Sequence, residues 1–218
     1  MQTPFDVSLD LDGWALFWAH LEKTSDPDSR LARLRSEVGS RARETLQIET
    51  LSNQPTVSAL RSLFRAAGCD PTRYRPSSEA LIRRVLKGVE IPQISPLVDI
   101  NNCLSVSLAV PCCVMADDTL TPPFVLRAGS AEESYESLRG PFNLDSRPLL
   151  ADRQGPCDAP ITGNRRVMVT LETRSAWLVA YLPAGIVSFD RVGETLAGFL
   201  AQAPVARVTA TDRFPRAD

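Results

Sequence analysis

Between Gly13 and Leu21 the chain reads Gly-Trp-Ala-Leu-Phe-Trp-Ala-His-Leu, and Trp14, Phe17, Trp18 and Leu21 fall on one helical stripe, which predicts an N-terminal helix. A second helix is predicted from about Asp28, where Leu31, Leu34 and Val38 repeat at helical spacing. Arg30, Arg33, Arg35, Arg41 and Arg43 lie between or after them and read as a solvated face. A third helix is predicted from Thr56 to Ala67, with Val57, Leu60, Leu63 and Phe64 inward and Gly68 placed to stop it. Ser77-Ser78-Glu79 supplies a cap and an early acid for a fourth, Glu79 to Lys87, ended by Gly88. Arg83, Arg84 and Lys87 decorate its outer face.

After Gly88 the pattern shifts. Phe124 to Arg127, Val167 to Thr170 and Trp177 to Leu182 read as strands, and Pro and Gly break up the intervening chain. Ser188 to Gln202 returns to helix with Phe189, Val192, Leu196, Phe199 and Leu200 inward. Val205 to Thr211 reads as a last strand and Arg213 onward as a frayed polar tail. Helices first, a mixed sheet region, then a closing helix define an α+β fold.

Composition narrows the function classes. With 44% hydrophobic residues in 218, the chain can bury a sizeable core. Its apolar stretches are short and interrupted, so no membrane-spanning helix and no membrane partner are expected. The start, Met1 to Asp6, lacks a basic and an apolar region, which sets the cytoplasm as the expected location. A net charge of −2 argues against a protein that grips a long phosphate backbone, DNA included, but leaves room for one that touches only the end of a nucleic acid. Five cysteines, an odd number without a CxxC, and a single histidine point away from a disulfide framework and from a zinc site; no metal and no cofactor are expected.

The familiar catalytic signatures are missing: no GxSxG elbow, no GxxxxGK[ST] loop, no GxGxxG, and one histidine cannot make HExxH. His20 follows the aromatic stripe and reads as a packing or surface residue. Cys112-Cys113, between Val110-Pro111 and Val114-Met115, reads as core packing, and no basic residue stands close in sequence to lower a thiol pKa. Asp117-Asp118 and Glu132-Glu133 read as a turn and a solvated loop.

Three ordered blocks nevertheless carry a resemblance. The first runs from Asp70-Pro71-Thr72-Arg73-Tyr74-Arg75-Pro76 through Arg83-Arg84-Val85-Leu86-Lys87-Gly88. The second is Ile94-Ser95-Pro96-Leu97-Val98-Asp99-Ile100-Asn101-Asn102. The third combines Asn143-Leu144, Arg147-Pro148-Leu149-Leu150-Ala151-Asp152 and Gly155-Pro156 with Val169-Thr170, Glu172-Thr173-Arg174 and Pro183-Ala184-Gly185. From about Thr72 to Pro183 the chain resembles the B3/B4 tRNA-editing domain of the phenylalanyl-tRNA synthetase β-subunit, in the form of the free-standing proteins of that family. The resemblance implies residues 1–70 as an N-terminal helical segment packed on the core, 71–212 as the B3/B4-like domain with its C-terminal helix, and 213–218 as a polar tail. It also implies a partner, the acceptor end of an aminoacyl-tRNA, and an activity, hydrolysis of the ester of a mischarged tRNA. An aminoacyl ester is already activated, so a positioned water and donors at the developing oxyanion suffice without a triad.

Site residues follow by position. Asp99 and Asn102 match the family's Asp and Asn, and read equally as a turn that satisfies its own backbone. Arg75, Arg83 and Arg84, with Arg73 and Lys87, are placed to meet the phosphates of the tRNA end or simply to solvate a helix. The chain also departs from the family. Cys112-Cys113 stands where the synthetase has a histidine, with Cys113 nearest in register. Gly163 and Asn164 replace a usual Asp-Ser, Val167 replaces a Thr, and Arg165 occupies the position of the substrate-reading glutamate. A donor-only cation there cannot orient water as a carboxylate does. Three readings result. In the first, a deacylase of altered specificity, Asn102 and Asn164 orient ester or water while Arg165 or Arg166 binds an acidic side chain or terminal phosphate. In the second, a binding module serving a partner enzyme keeps the pocket without hydrolysis. In the third, an acyl transferase passes the aminoacyl group through a thioester on Cys113 or Cys112.

Overall fold

The computed structural model describes residues 6–216. Its elements are, in order, β1 (Val7–Leu9), β2 (Trp14–Lys23), α1 (Ser29–Thr45), α2 (Pro55–Ala66), α3 (Ser77–Leu86), α4 (Pro96–Leu108), β3 (Cys112–Ala116), β4 (Phe124–Ala128), β5 (Ser134–Ser137), β6 (Gly140–Asn143), β7 (Pro148–Asp152), β8 (Gly155–Ala159), β9 (Thr162–Gly163), β10 (Ser175–Pro183), α5 (Phe189–Gln202) and β11 (Ala206–Phe214). Helices and mixed sheets make an α+β fold.

An antiparallel sheet of order β11-β2-β10-β3 forms the centre. Side chains alternate across a strand, so each strand serves two cores. From β2, Ala15, Phe17, Ala19 and Leu21 face a core completed by α1, α3, α4 and α5; from β10, Ala176, Leu178, Ala180 and Leu182 do the same. The opposite face, with Trp14, Leu16, Trp18, Trp177, Val179 and Tyr181, packs against a second sheet of order β1-β4-β7-β8-β9 and against Leu60 and Phe64 of α2. A β5–β6 hairpin stands beside the second sheet.

The helix expected over Gly13 to Leu21 is therefore a strand. Trp14, Phe17, Trp18 and Leu21 do not share a face there, because burial on both sides erases the polar intervals that distinguish a strand from a helix. His20 sits within it, its Nδ1 2.5 Å from Thr209 Oγ1 and its ring packed on Trp177 at 4.7 Å. Helices α1, α2, α3 and α5 lie where the apolar spacing placed them, with Asp28 and Ser188 accepting backbone N–H bonds as caps of α1 and α5. Ser77 and Ser78 do not cap α3: Pro76 holds the cap position, Ser78 donates to Ala109 O at 3.1 Å, and the Ser77 N–H donates to Pro160 O at 2.9 Å.

Two further differences concern the sheet region. The segment Pro96 to Leu108 is the helix α4, begun by a Ser95 cap and Pro96, so Asp99 and Asn102 lie on a helix and not in a turn. Val167 to Thr170 is not a strand: Arg165–Val167 is a 3-10 turn, and the residues after it pair with no strand. At the C-terminus β11 runs on to Phe214, and Arg216 bonds Asp212 at 2.8 Å, so only residues 217–218 of the expected tail lie outside the described residues. Among the described residues no helix is long and apolar enough to cross a membrane.

Candidate functional site

Strand β3 forms one edge of the central sheet and β9 one edge of the second, and the seam between them holds the most unusual polar group of the molecule. Along β3, Cys112 packs toward the helical core and Cys113 toward the second sheet. Opposite Cys113 stands Asp158 of β8, with no exposed surface. Its Oδ2 accepts the Tyr181 hydroxyl at 2.5 Å, while Oδ1 has no hydrogen-bond partner. Burial pushes the Asp158 carboxyl up to about 7, against the Tyr181 hydroxyl and the Cys113 thiol, which favour its charged form. The same burial, reinforced by the neighbouring carboxylate, raises the Cys113 thiol well above its ordinary range.

Gly163 packs over this enclosed carboxyl and its thiol neighbour. A methyl group built on Gly163 would lie 3.8 Å from Asp158 Oδ1 and 3.9 Å from Cys113 Sγ, with ordinary clearance. Gly163 belongs to a segment tied down along its length. Pro160 O takes the Ser77 N–H, Thr162 O takes the Tyr135 hydroxyl at 2.5 Å, and Asn164 pairs with Ser137 of β5. The Asn164 amide ties this segment to β8: Nδ2 donates to Pro156 O and Oδ1 accepts the Arg166 N–H, both at 2.9 Å.

The arginines beside it differ sharply. Arg166 is locked in a two-pronged pair with Asp152 at 2.9 and 3.1 Å and also donates to Thr119 O. Arg165 points to solvent. Arg83 is bound to Glu79 at 2.9 Å, beside Arg61 at 3.0 Å, while Arg75 reaches the same carboxylate only at 3.9 Å and stays exposed. Arg84 is exposed on α3. Asp99 is buried at the start of α4, where it accepts the Ile94 N–H at 2.8 Å and faces Arg35 of α1 at 3.5 Å; burial raises its pKa. Asn102 is half-buried on α4, next to Asn101, whose Nδ2 donates to Cys112 O at 3.2 Å.

Of the residues expected at a site, Cys113, Asn164 and Arg165 thus come together along the β9 edge. Asp99 is engaged in an ion pair that joins α4 to α1, Arg83 in one within α3, and Arg166 in one that anchors the loop. Asp158, Tyr181, Tyr135 and Asn101 were not anticipated. A lone acid between Cys157 and Ala159 was the only signal for Asp158, since a charge inside an apolar strand needs a reason. Among the described residues no group of three or more His, Cys, Asp or Glu is arranged to hold a metal ion.

Fold and site together define an α+β domain with a titratable carboxyl enclosed in an inter-sheet seam. The family model described as the B3/4 domain matches residues 59–190, more than half of the chain, and the chain belongs to that family. A solved relative in fold is the N-terminal fragment of the phenylalanyl-tRNA synthetase β-subunit from Pyrococcus horikoshii, matched with a TM-score of 0.50 at 11% identity over 99% of this chain and 55% of that one. The present chain thus spans about half the length of that fragment, and the likeness is one of fold. No curated protein matches it.

Proposed function

We propose that the protein hydrolyses the ester of a charged tRNA in trans, with Asp158 as the base that orients and deprotonates the attacking water. The observation that carries this reading is Asp158 itself: a buried carboxyl whose pKa is pushed up to about 7, with one oxygen held by Tyr181 and the other unpartnered beneath Gly163. A base that titrates near the working pH combines a useful ionised fraction with a strong pull on the proton. It would restore the carboxylate that Arg165 replaces, from a strand instead of a loop. Membership in the B3/4 family and the fold shared with a synthetase β-subunit support a charged tRNA as substrate. Arg165, exposed at the same edge, would meet an acidic side chain or the terminal phosphate.

A second reading, a binding module without hydrolysis, is favoured by one observation: the buried Asn164 amide is already tied to Pro156 O of β8 and to the Arg166 N–H, which gives it a structural task in place of orienting an ester. The transferase reading loses support, because a thioester needs a thiolate and the Cys113 thiol is held protonated. The test is to incubate the protein with a panel of tRNAs, each bearing a labelled amino acid, beside Asp158→Asn and Arg165→Glu variants. Release from one or a few tRNAs, slowed roughly 100-fold or more by Asp158→Asn, is the expected result. A panel left intact by the wild type would refute hydrolysis, and an undiminished Asp158→Asn would remove Asp158 from the chemistry.

A further inference from the structure

The β9 edge has a neighbour the proposed chemistry does not use. Tyr74, in the segment between α2 and α3, meets Phe142 of β6 edge-on, with ring centroids 6.1 Å apart at 81°. Phe142 packs on Tyr135 at 6.0 Å, and the Tyr135 hydroxyl ends on Thr162 O, one residue from Gly163. Behind Tyr74 the Arg147 guanidinium lies 3.8 Å from the ring centroid. Arg147 is itself buried, held by Asn143 Oδ1 and by Asp145 O at 3.1 Å, so it is a fixed part of the stack. Arg73, by contrast, is exposed and makes a looser cation–π contact, 5.2 Å from the same centroid.

The segment 160–165 orders what surrounds this stack. Ser77 at Pro160 brings Arg75 to one end; Tyr135 at Thr162 brings Phe142 and Tyr74 to the middle; Ser137 at Asn164 brings the β5–β6 turn, with exposed Arg139, to the other end, where Arg165 follows. Half-buried aromatic rings are thus flanked by exposed arginines at both ends. Among the described residues no ion pair is formed with Arg73 or Arg139 by the nearby acids, of which Asp70 caps the Thr72 N–H and Asp145 accepts the Ser146 hydroxyl, while Arg75 touches Glu79 only at 3.9 Å. Aromatic faces interleaved with cations are what single-stranded nucleic acid requires, because bases stack without sequence preference and phosphates follow the charges.

We infer that Tyr74 and Phe142 form a stacking platform for the single-stranded 3′ end of an RNA, with Arg73, Arg75 and Arg139 on its phosphates. The inference rests on the proposed tRNA function and specifies how the acceptor end would reach Asp158. It assigns the phosphate contacts to the flanks of the platform, not to Arg83, which Glu79 already holds.

The probe is an uncharged RNA minihelix with a single-stranded ACCA end, and the same minihelix cut back to a blunt end, titrated into the full chain by fluorescence anisotropy at low and moderate salt. The ACCA form is expected to bind about ten-fold tighter than the blunt form, with Tyr74→Ala and Phe142→Ala each removing most of that preference and Tyr74→Trp keeping it. Arg139→Glu, on an exposed turn where folding is not at stake, is expected to weaken binding and reduce its salt dependence. Equal binding of both minihelices, no binding of either, or a folded Tyr74→Ala that binds as the wild type does would overturn the platform. The two proposals fail separately: Tyr74-dependent binding without ester loss removes the hydrolase alone, and hydrolysis undiminished in Tyr74→Ala removes the platform alone.

Discussion

An aspartate in water ionises near pH 4; Asp158, enclosed and with one oxygen unpartnered, does so only at about 7. Between those values the unfolded chain has released its proton and the folded chain still holds it. The folded state then binds more protons, so stability falls as pH rises from about 4 to about 7 and levels off above. A rise from about 4 to about 7 corresponds to at most about 4 kcal/mol. Buried Asp99 acts in the same direction, so the wild type alone does not isolate the effect. Urea unfolding at pH 5 and pH 8 is expected to show a smaller loss of stability in Asp158→Asn than in the wild type; equal losses would place the titration elsewhere. The thiols give a second residue-level prediction. Burial raises Cys69 to about 11 and Cys103 to about 12, and it also raises Cys112, Cys113 and Cys157. Iodoacetamide at pH 8 is therefore expected to label the native protein far more slowly than a free thiol, and all five cysteines once it is unfolded. Rapid labelling of native Cys113 would reopen the thioester reading.

At the scale of elements, one close approach makes a strong prediction. A Cβ on Gly129 would lie 2.1 Å from the Leu144 carbonyl oxygen, a backbone atom that cannot turn aside. Gly129→Ala is expected to destabilise by about 2 kcal/mol or more, read from its urea midpoint, whereas Gly163→Ala, with contacts at 3.8 Å and beyond, should leave it almost unchanged. The same distinction between open and enclosed surroundings explains what was legible in the sequence. Helices α1, α2, α3 and α5 each bury one face and expose another, so their apolar spacing shows. Strand β2 is buried on both faces and imitates a helix, and α4 buries ten of its thirteen residues, leaving no stripe to read. At the candidate site, residue types at family positions single out Cys113, Asn164 and Arg165, and the fold sets Gly163, beside Asn164, against Cys113. The site was illegible where tertiary contacts make the chemistry: nothing local to Asp158 shows that Tyr181, 23 residues on, will take one of its oxygens.

Across the whole molecule, the family match begins at residue 59, but the sheet does not. Strand β2 lies between β10 and β11 and pairs with both, and its Leu16 and Trp18 have no exposed surface. Residues 59–218 alone are expected to keep helical far-UV signal and lose the near-UV signal of packed aromatics; a cooperative melt of that piece would contradict the pairing. The architecture also connects Tyr74, Phe142 and Tyr135 in one line to the segment above Asp158, so the proposed binding and chemistry share a single edge. The most direct measurement is the pH dependence of ester loss from the responsive charged tRNA, corrected for the spontaneous rate, in the wild type and in Asp158→Asn. A wild-type rate that climbs through about pH 7 and then levels, with the step absent in the variant, is the predicted result. A step that survives in Asp158→Asn, or a wild-type rate that equals the spontaneous one at every pH, would contradict the account.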